Sequence, residues 1–237
     1  MILIIGVGHV FDIREQIREI ILGEMPRAVC VELDPGRYYA LKNPQSRKAM
    51  TPTYRLLSHF QKRMARDFGG ELGSEMLTAI DTSREAGIAT LLIDADASQM
   101  FGELWQEMPL KERVMLSLSA LMGLFASKKK VERELEKFTE NEGAYLNEFG
   151  KEYPTLKKVL IDDRNQLMAE RIAEAEARYI NVVAVVGDGH VEGISSLLAP
   201  REVQAIRLKQ LLAKDYPRKG PKVSEGNTEV SFQYTYG

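Results

Sequence analysis

Cysteine is almost absent from this chain, since only Cys30 carries a thiol among 237 residues. One thiol excludes an internal disulfide, and its place in the apolar run Ala28–Val31 predicts a small core residue. An excess of charge is also absent, because 32 Lys and Arg residues face 34 Asp and Glu residues and leave a net charge of −2. This balance gives no electrostatic support for nucleic-acid binding.

Long hydrophobic runs are missing as well. The longest, Val114 to Ala126, is interrupted by Ser117, Ser119 and Gly123 and falls short of the roughly 20 residues that a membrane span needs. Met1 to Ile5 is too short for the core of a signal peptide, and no basic residue precedes it. We therefore expect a cytoplasmic protein with no membrane span.

Short runs rich in Ile, Val and Leu predict five β-strands. They cover Ile2–Ile5, Ala28–Leu33, Ile88–Ile93, Ile180–Val186 and Val203–Ile206. A helical pattern separates the first two runs, and a strand, a helix and a strand in close succession form a unit whose strands are parallel. The sequence thus predicts an α/β fold with a mostly parallel central sheet flanked by helices.

The stretch from about 98 to 179 shows no strand pattern. Helical patterns cover Pro109–Phe125, Val131–Phe149 and Leu156–Tyr179. We expect a helical insert within a single domain spanning residues 1–237, serving either as a lid or as the contact surface of a homo-oligomer. Pro35-Gly36, just after the second strand, predicts a turn.

One short motif, Gly-x-Gly-His-Val, occurs twice, nearly a whole chain apart. Gly6–Val10 and Gly187–Val191 each follow a predicted strand and precede a helical pattern. Open α/β sheets bind ligands at the edge where such turns lie. Because two of the three histidines hold these matching positions, we predict that His9 and His190 share a site. The alternative is that each histidine caps its own turn.

The residue types at these positions suggest metal or proton chemistry. The positive end of a helix dipole favours a neutral imidazole, which binds a metal or accepts a proton. Glu32 stands between Val31 and Leu33 in an apolar run, where a carboxylate is expensive to bury without a partner. A metal or an arginine would neutralise it, and Arg37 is a candidate. A structural Glu32–Arg37 pair without chemistry is the alternative.

Three weaker patterns permit other interpretations. The glycine-rich segment 69–75 enters a helix and is suited to anion binding, yet it lacks the Gly-Lys-Ser/Thr ending of a Walker loop. The first Gly-x-Gly is similar to a dinucleotide-binding turn, but Phe11 stands where that turn needs a third small residue. Asp162 to Asn165 form a charged run on a predicted helix, which is typical of a solvated face.

Five segments, taken in order, resemble the TraB/PrgY/GumN–Tiki superfamily, and its TraB branch most closely. They are Gly6–Val10, Val31–Arg37, Gly70–Met76, Asp163–Met168 and Val183–Ile194. No single segment is diagnostic, but the ordered set is specific and spans most of the chain. The resemblance implies an α/β core similar to that of the erythromycin esterase and ChaN proteins.

The resemblance also implies a metal-dependent site built from two Gly-x-x-His motifs and a glutamate. In the Tiki branch such a site is associated with peptide cleavage, and TraB-type proteins are linked with the shutdown of peptide pheromones. Carried over by position, His9 and His190 would be metal ligands, and Glu32 a ligand or the general base. Arg37 would be the charge partner of Glu32 or stabilise an oxyanion. Substrate-binding residues would be Glu75, Arg164 and Asn165.

Two departures from the family pattern stand out. Many TraB-type proteins carry a C-terminal membrane region that is not visible here, and Ala95 occupies the place where the family pattern has an arginine. Our leading hypothesis is a metal-dependent hydrolase that acts on peptides with Mn, Co or Zn, since nitrogen and oxygen ligands suit all three. The alternative, which Ala95 favours, is a module that binds a peptide or small anionic ligand without catalysis.

Overall fold

The computed structural model describes residues 1–8, 11–43, 73–123, 133 and 142–217. At its centre is a sheet of five strands in the order β3-β2-β4-β1-β5, and every recorded strand pair is parallel. The strands are β1 (Ile2–Val7), β2 (Ala28–Val31), β3 (Ala89–Leu92), β4 (Val182–Gly187) and β5 (Val203–Ile206). The predicted α/β class with a parallel central sheet is confirmed.

Ten α-helices lie in the described residues, together with one π-helical turn at Lys158–Asp162. They are α1 (Arg14–Glu24), α2 (Pro35–Lys42), α3 (Ser74–Glu85), α4 (Ala97–Glu107), α5 (Leu110–Gly123), α6 (Glu142–Glu152), α7 (Pro154–Lys157), α8 (Asp163–Tyr179), α9 (Asp188–Leu198) and α10 (Leu208–Ala213). The π-helical turn joins α7 directly to α8. None of these helices is long and apolar enough to cross a bilayer.

One local prediction was wrong and one helix was not predicted, and in both cases an aspartate caps the helix. Pro35-Gly36 is the first turn of α2, because the Asp34 side chain accepts a hydrogen bond from Arg37 N (3.0 Å) and Pro35 suits the first helical position. Helix α4 was not predicted. It begins where Asp96 Oδ1 accepts hydrogen bonds of 2.9 Å from two backbone N–H groups.

Alternation along the strands divides the core into two layers. One side of the sheet, which we call the α1 face, packs side chains such as Ile5, Val31 and Val185 against α1, α3 and α10. The other side, the α8 face, packs Ile4, Ala184 and their neighbours against α8 and α9. Cys30 is fully buried on the α8 face, as predicted.

The helices between β3 and β4 belong to two packing environments. Helix α8 buries Met168 and Ile172 against the sheet. Helices α4 and α7 instead share a separate small cluster with the π-helical turn, formed by Leu104, Met108, Tyr153, Leu156 and Val159. The segment from α4 to the π-helical turn therefore has its own apolar core beside the main one.

Candidate functional site

The two Gly-x-Gly-His motifs belong to neighbouring strands, since β1 pairs with β4 along its whole length. The chain leaves β1 toward β2 and leaves β4 toward β5, which are opposite directions across the sheet. Right-handed crossovers then place α1 and α9 on opposite faces, as the two core layers show. The carboxyl ends of β1 and β4 thus flank a topological switch point, the usual ligand position in an open α/β sheet. His9 itself lies outside the described residues.

Glu32 is buried at this edge, on the α8 face. Its backbone N–H still bonds Val185 O of β4 (3.0 Å), while Leu33 N turns back to Val31 O (2.7 Å) and ends the strand. The Glu32 side chain is 4% exposed. Its Oε2 accepts a hydrogen bond from Gly187 N (2.6 Å), and its Oε1 accepts one from Arg164 Nη2. A buried carboxylate therefore has both of its oxygens engaged, as its burial requires.

Arg164 lies in the first turn of α8 and uses all five of its N–H donors. Nε and Nη2 donate to the two oxygens of Asp94 (2.9 and 2.7 Å), and Nη2 also donates to Glu32 Oε1. Nη1 donates to Leu160 O in the π-helical turn and to His190 Nε2, both at 3.1 Å. Burial alone would lower the pKa of this guanidinium, but Glu32 and Asp94 outweigh that effect and raise it. Arg164 is a permanent cation that joins two carboxylates and one imidazole.

His190 is held in one tautomer by its neighbours. Its Nδ1 lies 2.7 Å from Asn165 Oδ1, an acceptor, so Nδ1 carries the proton. Its Nε2 faces an arginine N–H, a pure donor, so Nε2 carries the lone pair. Gly193 makes room for the Asn165 amide, because a Cβ there would stand 2.2 Å from Asn165 Nδ2. The His190 Nε2 atom lies 3.6 Å from Glu32 Oε1.

Asp94 extends this network to the surface. Besides Arg164 it pairs with Arg37 Nη2, while Arg37 Nε donates to Asp34. Burial would lower the pKa of Arg37, but Asp94 and Asp34 outweigh it and the pKa is raised. The Asp94 side chain is 1% exposed, whereas that of Arg37 is 28% exposed. Arg37 is therefore the cation of the network that a molecule in solution can reach.

The structure brings together four of the residues selected from the sequence, namely Glu32, His190, Arg164 and Asn165. Arg37 joins them through Asp94 and not as the direct partner of Glu32, a place that Arg164 takes. The charged run 162–165 is thus not simply a solvated face. Arg164 and Asn165 turn inward, whereas Asp162 and Asp163 are exposed.

Glu75 stands apart from these four residues. It is fully buried in the first turn of α3, on the α1 face of the sheet. The glycine-rich segment 69–75 is described only from Gly73 onward. The predicted anion-binding role of that segment falls outside the described residues.

Asp94 belongs to this network but was not predicted from the sequence. It follows directly after the buried end of β3, so a carboxylate just beyond a strand was the available signal. Its backbone also contributes, since Arg171 Nη1 donates to Asp94 O (2.7 Å) and Ala95 N donates to Asp94 Oδ1 (2.8 Å). In the described part of the chain, which omits His9, no group of three or more His, Cys, Asp or Glu side chains has the arrangement of a metal site.

A comparison with known protein families identifies one family. A family model described as "TraB/PrgY/gumN family" matches residues 2–210. The "Uncharacterized protein MJ1365" of Methanocaldococcus jannaschii is 30% identical over 214 residues, which are 85% of this chain and 54% of that protein. The chain spans about half the length of this curated relative.

Proposed function

Because the chain belongs to the TraB/PrgY/gumN family, we propose that it is a metal-dependent hydrolase acting on peptides, with Glu32 and His190 at its reaction centre. One observation carries the proposal. A carboxylate oxygen and an imidazole lone pair, both buried, converge on the same cationic group at the carboxyl edge of the sheet. Clusters of buried, interacting titratable groups are concentrated at functional sites.

The donor atoms suit a divalent metal. Glu32 Oε1 and His190 Nε2 lie 3.6 Å apart, and the Arg164 guanidinium already shows that they hold a positive charge between them. Glu32, His190 and, by its place after β1, His9 would hold the ion, a nitrogen and oxygen set that Mn, Co or Zn accepts. When bound, the ion would lower the pKa of a water molecule and polarise the peptide carbonyl.

The remaining roles belong to side chains of this chain. Glu32 would hold the ion through Oε1, the oxygen that Arg164 now contacts. If it is not a ligand, Glu32 would instead take the proton of the attacking water as the general base. Asn165 fixes the ring of His190 and keeps the lone pair on Nε2. Among the described residues Arg37 binds Asp34 and Asp94 through Nε and Nη2, and its Nη1 would hold the carbonyl oxygen or a carboxylate of the peptide.

The experiment is metal content and peptide cleavage, measured together. Wild type, Glu32→Gln and His190→Ala are compared with two controls: Glu176→Gln, whose partners are Arg201 and the Met1 amino group, and His59→Ala, at the third histidine. We expect about one bound metal per chain in wild type and in both controls, and cleavage of a synthetic peptide mixture seen as new termini by mass spectrometry. Both properties should be lost in Glu32→Gln and His190→Ala.

A binding module without catalysis is the second candidate. The completed set of donors on Arg164 and the uncharged side chain of Ala95 favour it, because a fully satisfied network has no group prepared to react. Peptide binding by folded wild type with no cleavage in Mn, Co or Zn would support this module and refute the hydrolase.

A further inference from the structure

Arg164 holds the two atoms that the proposed function gives to a metal. We infer that the Arg164 guanidinium and a divalent ion are alternative occupants of Glu32 Oε1 and His190 Nε2, so that Arg164 is a tethered cation that keeps this pair assembled until metal arrives. The inference rests on the proposed function for its metal, and on contacts in this chain for everything else.

The single lone pair of His190 makes the two occupants exclusive. Because Asn165 Oδ1 fixes the proton on Nδ1, only Nε2 can bind a cation, and a neutral imidazole has one lone pair to give. Arg164 Nη1 takes that lone pair at 3.1 Å. A metal bond to Nε2 needs the same electrons, and the two positive charges also repel each other.

Asp94 gives Arg164 a place to remain after displacement. The contacts of Nε and Nη2 with the Asp94 carboxylate, 2.9 and 2.7 Å long, do not involve the proposed ligands. The contacts with Glu32 and His190 must break, and because the guanidinium is planar and moves as one unit, the bond to Leu160 O must adjust with them. A shift of the Arg164 side chain that keeps Asp94 as its partner would exchange the occupants without moving α8.

In metal-free protein, the tethered cation neutralises two buried carboxylates. Glu32 and Asp94 are both nearly inaccessible to water, and two such carboxylates close together are strongly destabilising without a positive charge. Arg164 neutralises both at once. The same contact must weaken metal binding, because an incoming ion has to displace it.

Metal titration of an Arg164 variant tests this competition. Co²⁺ and Zn²⁺ affinities are measured by calorimetry for wild type, Arg164→Met and the control Arg171→Met, which removes another arginine of α8 that contacts Asp94 only through its backbone oxygen. We expect Arg164→Met to bind metal about tenfold tighter or more, and its metal-free form to melt at a lower temperature and to gain more from added metal. Arg171→Met should match wild type in affinity.

The outcomes separate the two proposals. If wild type binds metal and Arg164→Met binds it equally or more weakly, the competition is refuted while the proposed metal centre is supported. If Arg164→Met binds metal and wild type does not, the competition is supported, because Arg164 then excludes the ion completely. Absence of binding in both proteins refutes the metal centre, and the competition with it.

A measurement on wild type covers the case in which Arg164→Met does not fold. The buried Arg164 Nε–H and Nη–H groups should give slowly exchanging ¹⁵N resonances, which can be assigned through contacts with Leu160 and His190. Saturation with Zn²⁺ should shift the Nη resonances and speed their exchange, while Nε stays protected by Asp94. Unchanged Nη resonances in the Zn²⁺-bound protein would overturn the inference.

Discussion

Two buried carboxylates, Glu32 and Asp188, flank the carboxyl end of β4, and they differ in their partners. Asp188 accepts two hydrogen bonds of 2.9 Å from Arg207 and one of 2.8 Å from Leu208 N. Glu32 accepts one from a backbone N–H, but its arginine is shared with Asp94 and His190. The first carboxylate ties α9 to the start of α10. The second ties together groups that can exchange protons or hold a cation.

Burial and an arginine partner are common to both carboxylates, so they do not distinguish a structural residue from a candidate catalytic one. Asp188 receives two side-chain hydrogen bonds from one arginine, and Gly6 leaves it space, since a Cβ on Gly6 would lie 2.1 Å from Asp188 Oδ1. Glu32 belongs to a network in which one change affects several titratable groups. Variants of Glu32 should therefore change the rate of cleavage, whereas variants of Asp188 should change the free energy of unfolding.

The largest expected effect is on catalysis at Glu32. Glu32→Gln keeps the size of the side chain and removes the carboxylate that would hold the ion or act as the general base, so the rate of peptide cleavage should fall by about 10²–10⁴-fold. Initial rates per folded molecule, with folding checked by circular dichroism, provide the measurement. Asp188→Asn should retain most of the rate, and an equal loss in both variants would erase the distinction between the two carboxylates.

Asp188→Ala should instead reduce stability. Removing one partner of a fully buried ion pair costs about 3–5 kcal/mol, and we expect about 2–3 kcal/mol here because Arg207 can reach solvent. The exposed fraction of the Arg207 side chain is 33%. Urea unfolding of the metal-free protein measures the change. A loss below about 0.5 kcal/mol, the range of ordinary surface variants, would contradict a structural role.

Gly193→Ala tests the orientation of His190 without altering any charge. The added Cβ must displace the Asn165 amide, so metal affinity should fall about tenfold or more, as it does when an outer partner of a metal ligand is lost. Gly102→Ala is the matched control, because a Cβ at Gly102 of α4 meets nothing within 4 Å. An affinity that is the same in both variants would mean that Asn165 does not hold the ring.

The exposed face of α5 should tolerate charge in the monomer. Leu110, Val114 and Leu118 lie four residues apart and are 76%, 59% and 58% exposed, so Leu118→Lys should change the free energy of unfolding by no more than about 0.5 kcal/mol. The homo-oligomer expected from the sequence stays a prediction. If copies meet at this face, sedimentation of Leu118→Lys will show weaker self-association than wild type, and unchanged association would place any contact elsewhere.

The smallest expected signal comes from Cys30. Burial raises the pKa of its thiol to about 12, and the reactive thiolate is therefore scarce at pH 8. Modification by iodoacetamide should be negligible in native protein at pH 8 and complete after denaturation, as mass spectrometry can show. Rapid native labelling would mean that the α8 face opens easily between the sheet and α8.

The strands were predictable to within one or two residues because Ile and Val runs ended by a turn leave few alternatives. Glu32 was found because it interrupts an apolar run, and His190 because its Gly-x-Gly-His motif occurs twice. Arg164 was carried over by resemblance alone, since its inward direction depends on partners 132 and 26 residues away. Asp94 was missed for the same reason, because its arginines arrive from 57 and 70 residues away.

The π-helical turn at Lys158–Asp162 has a consequence for how the two apolar cores fit together. It inserts about one extra residue into a continuous helical run, and each residue turns an α-helix by about 100°. Deleting one residue there would change the relative orientation of Leu156 and Arg164. If Arg164 kept its contact with His190, Leu156 would leave its cluster; if Leu156 stayed packed, Arg164 would lose that contact. The π-helical turn thus sets the rotation between α7 and α8, so that Leu156 can pack in the small cluster while Arg164 contacts His190.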